Sequence, residues 1–224
     1  MPKIKFLLGT SPAQIEFNPN LVCKDWTDLN NVSSNCQACS LCLTRTQVVN
    51  GRFNIKNQFN PNHGLSPSTH LLIIGEAPGR VEDEQGYAFV GDSGRLLDIM
   101  LDSVGINSYF VTNIVRCRPP HNRNPTQNEI KSCQNFLESE IALVKPRAIL
   151  CLGKSATKAI VGSGGKFERL MLTQHKFYEY PVWVAYHPAY LLRQPSLEEH
   201  SPKWQVWQVL CRVRIYLDEL ENNG

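Results

Sequence analysis

Cys36, Cys39 and Cys42 recur with two residues between them in the stretch CQACSLC. Thiolates at that spacing hold soft metals, and no histidine follows closely to complete a site. Cys117 and Cys133 lie further along, sixteen positions apart. Cys36-x2-Cys39 with Cys117-x15-Cys133 makes four thiolates in two pairs, a set that suits a cubane iron–sulfur cluster or a tetrahedral zinc. Ligand softness does not separate the two, and spacing alone does not exclude Cys42. The plainer alternative is that Cys117 and Cys133 are small buried residues. Cys151 and Cys211 fall inside an apolar strand and an apolar helix and read as core. Cys23 has no partner at ligand spacing.

The elements that position such residues alternate along the chain. HLLIIG (70–75), YFVTNIV (109–115), RAILCLG (147–153) and VWVAY (182–186) read as buried strands. Between and after them come helices at 93–105, from Thr126 to before Pro146, at 154–162 and at 201–220. Thr126 and Glu129 form a capping box that opens the second of these. Residues 51–69, rich in Asn, Pro, Gly and Ser, read as a loop, and residues 1–30 as an N-terminal extension or edge element preceding a single domain over 31–224. Strands alternating with helices predict an α/β fold, a central mainly parallel four-stranded sheet covered on both faces. Ligands in such folds bind at the carboxyl ends of the strands. Three of those ends carry unusual residues: GEAPGRVEDEQGYAFVG (75–91), RCRPPHNRNP (116–125) and HPAYLLR (187–193).

Bulk properties bound the rest. A net charge of +3 and a pI near 8.4 tolerate a polyanion partner without demanding one. The N-terminal apolar run is too short for a signal peptide, and no stretch reaches the length of a membrane span. A cytoplasmic protein with no membrane contact is expected, where clustered cysteines point to metal or catalysis before disulfides.

The ordered set C-x2-C, GEAPG…ED…FVG, TNIV-x-CRPP-x-NR-x-P and HPAYLLR resembles the family 4 uracil-DNA glycosylases, the iron–sulfur members of their superfamily. The resemblance runs from about Cys36 to the closing helix. Ala88 departs from the proline usual before the phenylalanine, and Gln174-His175 from a common Arg-Gly pair. What it implies is a three-layer αβα sandwich, a 4Fe–4S cluster on Cys36, Cys39, Cys117 and Cys133, and removal of uracil from DNA. Cys42 is then the spare of its trio. Under that resemblance His187 donates to uracil O2 as negative charge builds there, and Glu76 orients water or supports the sugar cation. Ala77 and Pro78 extend the uracil pocket beside Glu76, Phe89 stacks on the flipped base, and Asn113 reads uracil N3–H and O4. Glu82 and Asp83 are further acidic candidates. Arg118, Arg123 and Arg193 are the expected DNA contacts, within a basic group that also holds Arg116, His121, Lys131 and Lys203. The expected activity is monofunctional base excision acting on uracil-containing single- or double-stranded DNA, by a monomer. Two other readings stay open: a non-catalytic iron–sulfur protein that binds nucleic acid or a polymerase, and a glycosylase for another deaminated base.

Overall fold

The computed structural model describes residues 23–55, 58–60 and 70–222. In chain order its elements are α1 (Trp26–Ser34), β1 (Arg52–Ile55), β2 (Gln58–Asn60), β3 (Leu71–Gly75), α2 (Arg80–Gln85), α3 (Asp92–Ser103), β4 (Ser108–Asn113) and α4 (Gln127–Val144). They continue with β5 (Ala148–Leu152), α5 (Gly153–Ile160), α6 (Phe167–Leu170), β6 (His175–Phe177), β7 (Tyr180–Ala185), α7 (Pro188–Leu191) and α8 (Pro202–Asn222). Short 3₁₀ turns occupy Ser40–Leu43 and Pro120–Asn122.

The strands form one sheet in the order β2-β1-β4-β3-β5-β7-β6. Its centre, β4-β3-β5-β7, is the parallel four-stranded set expected from the apolar runs, and every residue of β3 and β5 is buried. The sheet is nevertheless seven strands wide, because antiparallel strands extend both edges. β1 adds to β4 and β6 adds to β7. The expected loop at 51–69 therefore yields β1 and β2, while 61–69 lie outside the described residues. Phe53 explains why β1 forms, since its ring packs edge-on against Phe110 at 4.8 Å and against Trp26 at 5.4 Å.

Residues 23–30 include the first turns of α1. Asp25 caps α1 by accepting from the Asp28 amide at 2.8 Å, and Trp26 and Leu29 are buried in the core. Residues 1–22 lie outside the described residues.

Right-handed crossovers put α3 on one face of the sheet and α4 and α5 on the other. α8 covers the α3 face, where Leu96 and Met100 meet Trp204 and Trp207 across an apolar groove. The result is the three-layer αβα arrangement. Among the described residues no helix is long and apolar enough to cross a membrane.

The capping box forms as its spacing predicts. Thr126 Oγ1 accepts from the Glu129 amide, and Glu129 Oε2 accepts from the Thr126 amide at 2.7 Å. Arg123 reaches the same carboxylate with both terminal nitrogens, at 2.9 and 2.7 Å, and holds it down to a pKa of about 2. Thr126→Ala is expected to destabilise the protein by about 1 kcal/mol. Urea unfolding should show a lower midpoint at unchanged slope.

Candidate active site at the carboxyl edge of the sheet

The parallel strands end together, and a cavity of about 450 Å³ opens at that edge. Glu76, Ala77, Pro78, Phe89, Asn113 and His187 all line it, together with Arg123 and Arg193 at its rim. Six residues from three strand ends thus line one cavity.

Glu76 and Asn113 arrive side by side because the β3–β4 ladder continues past the strands. The Ile114 amide donates to Gly75 at 3.0 Å and the Val115 amide to Glu76 at 3.3 Å. Asn113 is buried, and its Oδ1 has no hydrogen-bond partner in the protein. An orphaned buried acceptor costs about 1–3 kcal/mol, which a ligand N–H recovers.

Phe89 is held in a backbone conformation that a bulky residue rarely adopts, with φ of 56°. A Cβ on Gly75 would come within 2.5 Å of both the Phe89 ring and Asn113 Oδ1, so only glycine leaves space for this pair. A Cβ on Gly94, in the first turn of α3, would lie 1.7 Å from the Phe89 carbonyl oxygen. Arg52 clamps the same turn: its Nε donates to Ala88 O at 2.9 Å and its Nη2 to Phe89 O at 3.0 Å. Asp98 balances its charge at 2.8 Å.

His187 caps α7, with Nδ1 accepting from the Ala189 amide at 3.2 Å. The neutral ring therefore carries its proton on Nε2. Burial, helped by the charge of Arg193, pushes its pKa down to about 4, so it is neutral at pH 7. Its ring lies 5.5 Å from that of Phe89, tilted by 31°. A flat apolar face, an acceptor without a donor, a neutral donor and a carboxylate share one cavity.

Glu82 and Asp83 prove to be braces. Glu82 accepts from the Gly79 amide at 3.1 Å and the Gly91 amide at 2.8 Å, tying two walls of the cavity together. Asp83 accepts from the Thr46 amide with both oxygens, at 3.0 and 3.1 Å, joining α2 to the cysteine segment. Of the basic group, Arg116 is buried, bonded to Asn50 and paired with Glu140 at 2.6 Å, so it cannot meet solvent. Lys203 lines the separate α3–α8 groove. Arg118 is outside the cavity lining and donates to Asn122, which lies on it.

The thiols of Cys36, Cys39, Cys117 and Cys133 act on one another. Burial raises Cys117, Arg45 opposes by hydrogen bond and charge, and Cys39 and Cys36 add to the rise. Burial pushes Cys133 up to about 12, with Cys117 and Cys39 adding. Burial also raises Cys39, to which Cys36, Glu129 and Cys42 add. Among the described residues no three His, Cys, Asp or Glu side chains close around a single metal ion. A cubane spreads its four thiolates farther apart than one ion does, and the four share one neighbourhood with Arg45 bonded to Cys117 Sγ at 3.2 Å. That donor set suits an anionic cluster.

Residues 63–211 match the profile of the uracil DNA glycosylase superfamily. A type-4 uracil-DNA glycosylase of Archaeoglobus fulgidus is 35% identical over 187 residues, covering 79% of this chain and 88% of that protein. Those of Pyrobaculum aerophilum and Sulfurisphaera tokodaii are each 35% identical, over 80% and 73% of this chain and 90% and 74% of theirs. The chain belongs to the uracil DNA glycosylase superfamily. Arg45, Arg52 and Asp98 had no motif to mark them, although each holds a part of this superfamily member's cavity or cysteine segment.

Nitrogen NMR of the imidazoles tests the His187 assignment. Nε2 should be protonated at pH 7 and the ring should titrate near about 4. The unfolded ring takes its proton near 6.5, so between 6.5 and about 4 the unfolded state binds more protons. The His187 contribution to stability is thus complete above 6.5, declines as pH falls through that window, and levels off below it. Replacing His187 with Asn should flatten this part of the acid profile.

Proposed function

We infer that this chain is a uracil-DNA glycosylase, hydrolysing the N-glycosidic bond of uracil in DNA and leaving an abasic site for base-excision repair. One observation carries the residue-level reading: the unpartnered Asn113 Oδ1 at the floor of a cavity whose other walls are Phe89 and a neutral His187.

In that reading the extruded uracil stacks on Phe89, beside Ala77 and Pro78. Asn113 Oδ1 accepts from N3–H and its amide donates to O4. Cytosine presents the reverse pattern, an acceptor at N3 and a donor at the exocyclic nitrogen, and leaves both groups mispaired; such mispairing discriminates by roughly 10⁴. The bond from C1′ to N1 breaks with its electron pair moving onto the base, where charge collects on O2. His187 Nε2–H donates to O2 and stabilises that charge without giving up its proton. Glu76 stands on the sugar side, supports the cation and orients the water whose oxygen bonds to C1′; the proton that this water loses passes to the Glu76 carboxylate and from there to solvent, while uracil departs as the anion.

Arg193 and Arg118 supply phosphate contacts, and Arg123 lines the cavity with its guanidinium bonded to Glu129. Cys36, Cys39, Cys117 and Cys133 would hold a 4Fe–4S cluster, leaving Cys42 outside it. Bound there, the group supplies a rigid anionic crosslink between the N-terminal segment and the loop that carries Arg118 and Arg123. Hydrolysis of this bond transfers no electrons, so the residues above perform the reaction. The eight thiols, none in a disulfide, support a reducing, cytoplasmic setting.

The test is strand cleavage by alkali after incubation with uracil-containing single- and double-stranded oligonucleotides. We expect cleavage at uracil with the wild type and a loss of about 10²–10³ in rate for His187→Ala. A His187→Ala rate equal to the wild type would remove His187 from the mechanism, and a folded wild type without cleavage would remove the activity. Asn113→Asp presents only acceptors to the base edge. Measurable release of cytosine by this variant is expected, and an unaltered uracil-to-cytosine ratio would show that Asn113 does not read the base.

A further inference from the structure

The cysteine segment contains a charged residue that reaches both halves of the four-thiol set. Arg45 Nη1 donates to Cys117 Sγ at 3.2 Å, and its Nη2 donates to the Cys36 carbonyl at 2.7 Å. A single guanidinium fork thus spans a sequence gap of more than seventy residues and touches one cysteine from each pair. The fork is aimed from both ends of its own backbone. The Arg45 amide donates to Leu41 O at 3.2 Å, closing the 3₁₀ turn after Cys39, and the next amide, that of Thr46, is fixed by the buried Asp83 carboxylate. Arg45 is half-buried.

We propose that Arg45 is a positioning residue for the cluster, setting its reduction potential by charge and its retention by the fork. This rests on the reading of Cys36, Cys39, Cys117 and Cys133 as cluster ligands. A cubane on four thiolates is a net anion, and hydrogen bonds to its sulfurs make it easier to reduce. The Arg45–Cys117 bond is charge-assisted, so its removal takes away both a donor and a neutralising charge. The second tooth of the fork bonds the Cys36 backbone and so ties the first cysteine pair to the second. Lysine can replace the charge but cannot bond two partners at this planar spacing. Charge and fork therefore make separable contributions.

The experiment uses the full chain purified without oxygen, as wild type, Arg45→Met and Arg45→Lys, with circular dichroism to establish folding. Iron and sulfide content, midpoint potential, and bleaching of the visible absorption by an iron chelator are measured on each. Arg45→Met is expected to show a lower potential and to bleach about tenfold faster, the size of one lost charge-assisted bond. Arg45→Lys is expected to regain the wild-type potential while still bleaching fast. Folded Arg45→Met with unchanged potential and unchanged bleaching overturns the proposal. Fast bleaching with a wild-type potential in Arg45→Met also overturns it, since a merely structural arginine would behave so. If Arg45→Met does not fold, Arg45→Lys decides alone, and bleaching at the wild-type rate overturns the fork. A folded wild type holding neither iron nor sulfide removes the cluster itself, and Arg45's role with it.

Discussion

The arrangement depends on the clamp that Arg52 places on the turn at Ala88 and Phe89. Phe89 occupies a left-handed backbone conformation, a region that costs a bulky residue about 1–3 kcal/mol. It stays there because every route of relaxation is closed. Arg52 holds the two carbonyls from below, Gly94 brings the first turn of α3 into contact from above, and Gly75 allows the ring to lie against Asn113. The clamp thus holds the turn that places the Phe89 ring on the cavity shared with Asn113 and His187. A buried arginine in an antiparallel edge strand, paired with Asp98, thereby fixes the shape of a pocket to which it contributes no wall.

Carboxylates carry the same logic outward. Glu82 joins the GEAPG turn to the turn after Phe89, and Asp83, one residue along α2, joins that helix to the cysteine segment. Glu129 joins three parts at once: the cap of α4, the guanidinium of Arg123 at the cavity rim, and the Ser40 hydroxyl beside Cys39. Each of these acids meets backbone amides or an arginine rather than solvent, so each exchanges hydration for fixed donors. The cysteine segment and the cavity are consequently parts of one polar frame. Hydrogen bonds run from Ser40, beside the Cys36–Cys39 turn, to Glu129 and from Glu129 to Arg123.

Much of this was legible in the residues, and the boundary of legibility has a physical cause. The four parallel strands are continuous apolar runs because both faces of the sheet are covered, and the capping box has a fixed three-residue spacing. Both are local signals. β1 hides because RFNI sits among Asn, Gly and Pro, and its case rests on Phe53 meeting Phe110 and Trp26, which are distant in sequence. α1 hides because its apolar positions are few. Arg116 was misread for a related reason: a basic residue next to others resembles a solvated patch until Glu140 is brought to it by folding. Arg45 and Arg52 share that fate in reverse. Long polar side chains that bond across 36 to 72 positions leave no periodicity behind. Motif residues that line the cavity could be named through the family resemblance, whereas the residues that aim them could not.

The protonation state of His187 follows from the same enclosure. A charged imidazolium would attract a uracil anion more strongly, yet burial and Arg193 disfavour that form down to a pKa of about 4. The fold thereby gives up Coulomb attraction and keeps direction, since the Ala189 amide occupies Nδ1 and leaves Nε2–H as the proton that faces the cavity. That choice suits the chemistry. In the proposed reading uracil leaves as a delocalised anion, and His187 supplies a donor where charge collects. A neutral donor also binds uracil in the ground state less tightly than a cation would, so more of its interaction is reserved for the transition state. In the proposed reading the positive charge near the anion comes from Arg193, since Arg123 on the same cavity is already paired with Glu129.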